Sequence, residues 1–189
     1  MSTESPVYVS LEFTPNPKTL KYSVNRTLIE RGACSFQKPE EATDRSPLAA
    51  RLFEIPGVEA VMLGKDFVTL TKHDEGDWEV IHARSSEVIR SHLTDGKPVI
   101  LGATEDRGAA RDNQTETEKK IREFLEKEVR PAVAMDGGDI TFERFEEGIV
   151  YVYLQGSCAG CPSSTMTLKV GIENRLKALV PEVTEVVSL

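Results

Sequence analysis

The chain is poor in cysteine, with three in 189 residues, and it has a single tryptophan. An odd, low cysteine count excludes a disulfide framework. No apolar run approaches the roughly 20 residues that a membrane-spanning helix needs. Basic residues are outnumbered, 23 Lys+Arg against 31 Asp+Glu, for a formal charge of −8. A non-specific nucleic-acid binder needs a basic face to displace counterions, so neither nucleic acid nor membrane is an expected partner. The N-terminal residues lack the basic and apolar regions of a signal peptide and the Arg-rich helix of a transit peptide. A cytoplasmic location is expected, although a mature organellar protein without its presequence would look the same. What is present is a balanced globular composition, 39% hydrophobic and 29% charged, with apolar residues in regular patterns.

The pattern divides the chain into an N-terminal domain, 1–103, a polar linker, 104–115, and a C-terminal domain, 116–189. The expected fold class is α+β, two small domains joined by a flexible linker. In the first, Val7 to Phe13 reads as a strand with Val7, Val9, Leu11 and Phe13 on one face, and Leu20 to Val24 as a second strand. Residues 31–46, including Cys34, read as irregular. Ser46-Pro47 opens a short helix, because Ser caps free N–H groups and Pro fits the first helical position. Val58 to Leu63 and Phe67 to Thr71 form a hairpin, and a helix covers Trp78 to His92, with Trp78 as a packing anchor. His73, His82 and His92 show no ligand pattern and read as ordinary surface or packing residues.

In the second domain, Ile121, Phe124, Leu125, Val129 and Val133 recur at helical spacing, with Pro131 expected to kink or shorten the last turn. Met135-Asp-Gly-Gly-Asp139 is a turn. Two antiparallel strands follow, Ile140 to Phe145 and Gly148 to Leu154, with Glu146-Glu147 at their tip. A cysteine loop, Gly156 to Pro162, leads to a helix expected to bury Met166, Val170, Ile172, Leu176 and Leu179. Val183 to Val187 is the last strand. Pro56-Gly-Val58 and Pro181-Glu-Val183 echo each other, through duplication or through the same helix-to-strand punctuation.

Chemistry concentrates at Cys158 and Cys161, a C-x-x-C pair in a glycine-containing loop before a helix. Two intervening residues let one loop direct both sulfurs to a common ion, and the helix N-terminus favours thiolates. Spacing alone leaves four readings open. An iron–sulfur cluster needs four thiolates, which two chains would supply. A zinc site would also accept four. Thiol–disulfide exchange uses C-x-x-C at a helix start, but the strand–strand–helix order does not suit it. Two packed thiols with no ligand are the fourth. Cys34 is a possible third ligand or sulfur-transfer thiol, more simply a lone small thiol. Asp136 and Asp139 are poor iron ligands beside softer thiolates.

Met135-Asp-Gly-Gly-Asp139, Gly156-Ser-Cys-Ala-Gly-Cys-Pro-Ser-Ser164, Thr167-Leu-Lys-Val-Gly-Ile-Glu173 and Val180-Pro-Glu-Val183 resemble the C-terminal domain of NifU-like (Nfu-type) iron–sulfur cluster scaffold proteins. Thr14-Pro-Asn-Pro-Lys-Thr-Leu-Lys21, Ser46-Pro-Leu48, Leu52-Phe53, Ile55-Pro-Gly-Val58 and Asp66-Phe-Val-Thr69 resemble that family's N-terminal domain. The resemblance implies a non-enzymatic scaffold and carrier. In it, Cys158 and Cys161 of two chains hold a labile [4Fe–4S] cluster, with [2Fe–2S] as a possible intermediate. It implies a homodimer when cluster-bound, apo iron–sulfur clients and upstream cluster-assembly machinery as partners, and a sulfur source elsewhere. The alternative is a thiol–disulfide or persulfide-handling redox enzyme using the same pair. Ser157 stands where the family often has Ala, and a hydrogen bond from its hydroxyl toward a sulfur is expected. The first domain, without metal-binding cysteines, reads as a client-recognition or regulatory part.

Overall fold

The structure, a computed structural model, describes residues 6–102, 115–159 and 162–189. The expected linker falls almost wholly outside them. Among the described residues no helix is long and apolar enough to cross a membrane. Helices and strands build two separate sheets, each with its own apolar core, so the chain is α+β.

The first sheet has five antiparallel strands in the order β1-β2-β5-β4-β3: β1 Val9–Phe13, β2 Thr19–Val24, β3 Cys34–Phe36, β4 Val58–Leu63 and β5 Phe67–Lys72. Helices α1 Pro39–Thr43, α2 Pro47–Phe53 and α3 Trp78–Thr94 belong to the same half. Strand alternation sends Leu20, Tyr22, Val61, Leu63, Val68 and Leu70 into the core with Leu48, Leu52, Ile81 and Ile89. Ser46 caps α2 as expected, its Oγ accepting from the Ala49 N–H at 3.0 Å. Trp78 packs on this core, and its indole N–H donates to the Pro17 carbonyl.

Two expectations fail here. Residues 31–46 are not irregular: β3 and α1 lie within them, because Cys34 and Phe36 send alternate side chains into the core and Pro39 starts a helical turn. Phe13 does not join the buried face of β1 but is 85% exposed at the strand's end.

The histidines of α3 serve packing. His82 stacks on Tyr22, and burial pushes the Tyr22 hydroxyl up to about 12. His92 is fully buried, its Nε2 paired with the Pro98 carbonyl at 3.1 Å. Burial holds its imidazole below the ordinary value. An unfolded chain therefore binds a proton that the folded chain refuses. His92 stabilises the fold fully above the ordinary value of about 6.5, and that stability is lost as pH falls through it toward the lower folded value. The urea midpoint should fall between pH 7.5 and 5.5 in the wild type and fall less in His92→Gln; equal slopes would exclude the assignment.

The second half begins with α4 Glu116–Phe124, which opens with a capping box between Thr115 and Glu118. A π-helical turn, Leu125–Val129, separates it from α5 Arg130–Met135. Pro131 lacks an N–H, and its ring crowds the preceding turn, so widening that turn lets the chain continue along one core-facing line. Strands β6 Gly138–Glu146 and β7 Ile149–Gly156 pair antiparallel. Their two-residue turn has Glu147 at φ 50° and Gly148 at φ 83°, the left-handed pair of a type I′ hairpin. Helix α6 Pro162–Leu179 then crosses over, and β8 Glu185–Ser188 runs parallel to β7.

Helix α6 buries less than expected. Ile172 and Leu176 enter the core, but Met166 is 69% exposed and Val170 53%. Leu179 is exposed too. At 3.6 residues per turn, Val170 sits about 200° round the helix from Ile172, so the five apolar residues cannot share one face. The Pro56 and Pro181 echoes lead to unlike strands. β4 is antiparallel between two neighbours, whereas β8 is parallel at an edge, which is punctuation rather than a repeated unit.

The outer face of the first sheet carries Lys21, Ala60, Met62, Phe67 and Thr69, the strand residues alternating with the core set. These side chains are buried although no helix of their own half covers them. Residues of the second half lie on this face.

Candidate functional site

The site is assembled from two returns of the chain. The first is the turn after α5, where Gly137 takes φ 77° and its N–H donates to the Ala134 carbonyl. The second is the loop after β7, where Gly156 takes φ 65°. Gly138 and Gly156 face each other as the last cross-strand pair of the hairpin, which brings the turn beside the cysteine loop. Ser157 ties the two together: its N–H donates to the Gly137 carbonyl at 3.2 Å, and its hydroxyl donates to the Asp136 carbonyl.

Cys158 is 5% exposed and belongs to the second core. Its sulfur is seated against Gly138. A Cβ placed on Gly138 would lie 2.5 Å from Cys158 Sγ and 3.0 Å from the Gln155 carbonyl oxygen. Only a residue without a side chain leaves the thiol its seat. Ser157 Oγ is 3.9 Å from the same Sγ. The Ser157 hydroxyl also donates to the Asp136 carbonyl, so it stands between that carbonyl and the thiol. Cys161 lies outside the described residues.

The carboxylates expected to be poor ligands are engaged or turned away. Asp139 is buried, and Arg130 holds both of its oxygens in a two-point bridge of 2.7 and 3.0 Å. Removing Arg130 would leave the buried Asp139 carboxylate without its two-point partner. Asp136 caps α5 with its side chain exposed. Cys34 is buried in the first core on β3, opposite Leu63, and lines a cavity with Arg130, Tyr153 and Gln155 of the second half. Among the described residues, no three His, Cys, Asp or Glu side chains converge on one point.

Sequence reasoning missed the contribution of the first half. The Asn16 amide donates to the Ser157 carbonyl at 3.2 Å, Thr69 Oγ to the Gly137 carbonyl at 2.7 Å, and Lys21 Nζ to the Met135 carbonyl at 3.2 Å. Met62 packs its thioether on Gly156, where a Cβ would meet Sδ and Cε at 2.8 Å. A cavity of about 330 Å³ beside the loop is walled by Asn16, Lys18, Met62 and Thr71 on one side and Gly156 and Ala159 on the other. The only signal in the sequence was the Thr14–Lys21 segment, which carries no ligand chemistry of its own.

Two family models match the chain. Residues 9–96 match the family model described as scaffold protein Nfu/NifU N terminal, and residues 121–187 match the NifU-like domain. The human protein named NFU1 iron-sulfur cluster scaffold homolog, mitochondrial, is 39% identical over 94% of this chain and 70% of its own length. NifU-like protein 5, mitochondrial, from Arabidopsis thaliana is 40% identical over 94% of this chain and 66% of its own length. NifU-like protein 4, mitochondrial, from the same plant is 39% identical over 94% of this chain and 64% of its own length. The chain thus spans about two thirds of these relatives. A solution NMR structure of a NifU-like protein from Saccharomyces cerevisiae is similar over 55% of this chain and 92% of that one, at 25% identity and a TM-score of 0.49.

The expected cytoplasmic location is overturned. These relatives are named mitochondrial, which points to an organelle. N-terminal composition was a poor guide, because a leader is separable from the folded domains it delivers. The human relative is named a scaffold, and with both domain types matched over most of the chain, this protein belongs to the NifU-like (Nfu-type) family of iron–sulfur cluster scaffold proteins.

Proposed function

We propose that two copies of this chain hold one [4Fe–4S] cluster through Cys158 and Cys161 and pass it to apo-proteins. The observation that carries the reading is the glycine seat of Cys158. A cysteine sulfur is fixed between a hairpin end and a loop, with Gly138 reserved for it and Ser157 fastening the two strands of backbone. Thiolate sulfur is the soft donor that such clusters take, normally four at a time. One chain offers two in this loop, so the other two come from a second copy, and an upstream assembly system supplies the cluster. A [2Fe–2S] unit is a natural intermediate of assembly.

The domains take the division 1–103, 104–115 and 116–189, with the cysteine loop in the last. What the chain's own residues do is hold and orient. The β6–β7 hairpin fixes the loop's entry, and Arg130 neutralises Asp139 next to Gly138 so that a buried carboxylate does not oppose an anionic cluster. Thiolates presented on a short loop between two chains are open to exchange with an acceptor's thiolates, which suits delivery rather than permanent storage. A thioredoxin-type exchange site has less support, since the strand before the loop comes from an antiparallel hairpin rather than a β-α-β unit.

The test is anaerobic reconstitution with iron and sulfide, with metal, sulfide and protein quantitation on size-exclusion fractions. About four irons and four sulfides per dimer, from a monomeric apo chain, is the expected result. A colourless monomer with redox-active thiols would overturn it.

A further inference from the structure

The Thr14–Lys21 segment and the outer face of the first sheet have no part in holding a cluster, yet their polar atoms converge on the cysteine loop. Three side-chain donors land on three main-chain carbonyls: Asn16 on Ser157, Lys21 on Met135 and Thr69 on Gly137. The donors are pre-aimed. Asn16 is 6% exposed, and its Oδ1 accepts from the Lys18 N–H at 3.0 Å, which fixes the amide so that its NH₂ points across to the loop. Lys21 is held beside Glu12 at 2.8 Å and over the Phe67 ring. Gly137 inserts between Thr69, Thr14 and Lys21, with 3.0 to 3.3 Å left for a Cβ. The face therefore reads the shape and carbonyls of a glycine turn.

We infer that the outer face of the first sheet is a docking site for the chain's own Met135–Gly138 turn and Gly156–Ala159 segment, and that it competes there with a second copy of the chain. In the apo chain the face holds the backbone on either side of the thiol; Cys158 itself is buried among residues of its own half, and undocking loosens the seat that buries it. Binding a cluster between two copies requires the loop to turn to its partner, so loading opens the contact. The competition rests on the two-chain cluster reading; the docking itself does not.

The contact is built to be reversible. Its donors are an amide, an ammonium and a hydroxyl, all of which water satisfies when the halves part, and polar interfaces of this kind mark domains that separate. The acceptors belong to backbone, so opening leaves no buried charge behind. Apolar side chains share the face, Met62 among them, which packs against Gly156 rather than into either core.

The experiment measures alkylation of Cys158 by iodoacetamide in the reduced, full-length apo chain, followed by peptide mass spectrometry. Wild type is compared with Asn16→Ala/Thr69→Val, which removes two of the three donors while leaving the strands their shape. Met62→Glu is the second variant, since its side chain lies outside the first core and a charge there repels the loop without disturbing that core. Circular dichroism identifies the variants that fold. Alkylation should be about tenfold faster in each folded variant, as expected when a protected thiol no longer waits for an opening event. Cluster loading should also be faster, with the final iron per dimer unchanged. An unchanged alkylation rate in a folded variant, with normal iron uptake, would overturn the docking inference alone. A wild-type chain that takes up no iron would overturn the cluster reading, and the competition with it, whatever the alkylation rate.

Discussion

Cys158→Ala is expected to give a folded, iron-free monomer. On the proposed reading each copy contributes two of four thiolates, so one substitution per chain removes half of the ligands. Nothing among the described neighbours can take over. The Ser157 hydroxyl is committed to the Asp136 carbonyl, and both oxygens of Asp139 are held by Arg130. Oxygen donors are in any case harder than the cluster prefers. The fold should survive, because the change deletes one buried sulfur from a core that keeps Ile172, Leu176, Val150 and Val152; the cost is on the order of 1–2 kcal/mol. Iron after anaerobic reconstitution should drop from about two per chain to near zero, and the dimer peak should vanish. Cys34→Ala is the control. That thiol packs in the other core, so its loss should leave iron content intact. Full iron in Cys158→Ala would falsify the ligand assignment.

How far the sequence could be read depended on whether the cause of a structure was local. The cap on α2 was legible because Ser46, Pro47 and the apolar residues after them act within one helical turn. The β4–β5 and β6–β7 hairpins were legible because alternation and a short polar turn are adjacent in sequence. Strand β3 was not. Three residues, Cys34 to Phe36, are too few to show a period, and their pairing with β4 depends on a strand some 27 positions away. The apolar residues of α6 misled for a different reason: composition says that a residue is apolar, and only the period says which face it is on. Leu168, Ile172 and Leu176 follow the core stripe; Met166 and Val170 do not.

The cysteine pair stood out in the sequence because two close thiols form a recognisable spacing, which by itself left four chemistries open. Its surroundings were illegible. Lys21 and Thr69 look like the solvated side of amphipathic strands, and that is how they would behave if the first sheet stood alone. They are buried because the second half covers them, a fact fixed by contacts between residues 68 to 141 positions apart. A polar face on a strand thus predicts exposure to water only when nothing else in the chain claims it. The consequence is that the first half, which carries neither cysteine of the C-x-x-C pair, still borders the loop that carries Cys158.

Gly138→Ala should be the most damaging single-methyl change near the site. Gly138 does not lie at positive φ, so an alanine meets no backbone strain there. The obstacle is space alone. The new methyl would sit 2.5 Å from Cys158 Sγ, 3.1 Å from its Cβ and 3.0 Å from the Gln155 carbonyl oxygen. The carbonyl is part of the β6–β7 hairpin and cannot retreat without breaking the pairing of Asp139 with Gln155. The thiol is the atom that gives way, and rotating it moves the ligand. Overpacking of this kind costs about 1–3 kcal/mol. If that cost falls on the bound form, cluster affinity weakens on the order of 10- to 100-fold. The expected signature separates this from general unfolding: lower iron occupancy at limiting iron, faster alkylation of the displaced Cys158, and a melting temperature lower by several degrees but with a cooperative transition. Gly171→Ala provides the contrast on α6, where the added methyl meets nothing within 4 Å, and iron binding should be unaffected. Normal iron affinity in a folded Gly138→Ala chain would mean that the cluster does not depend on where Gly138 seats the Cys158 sulfur.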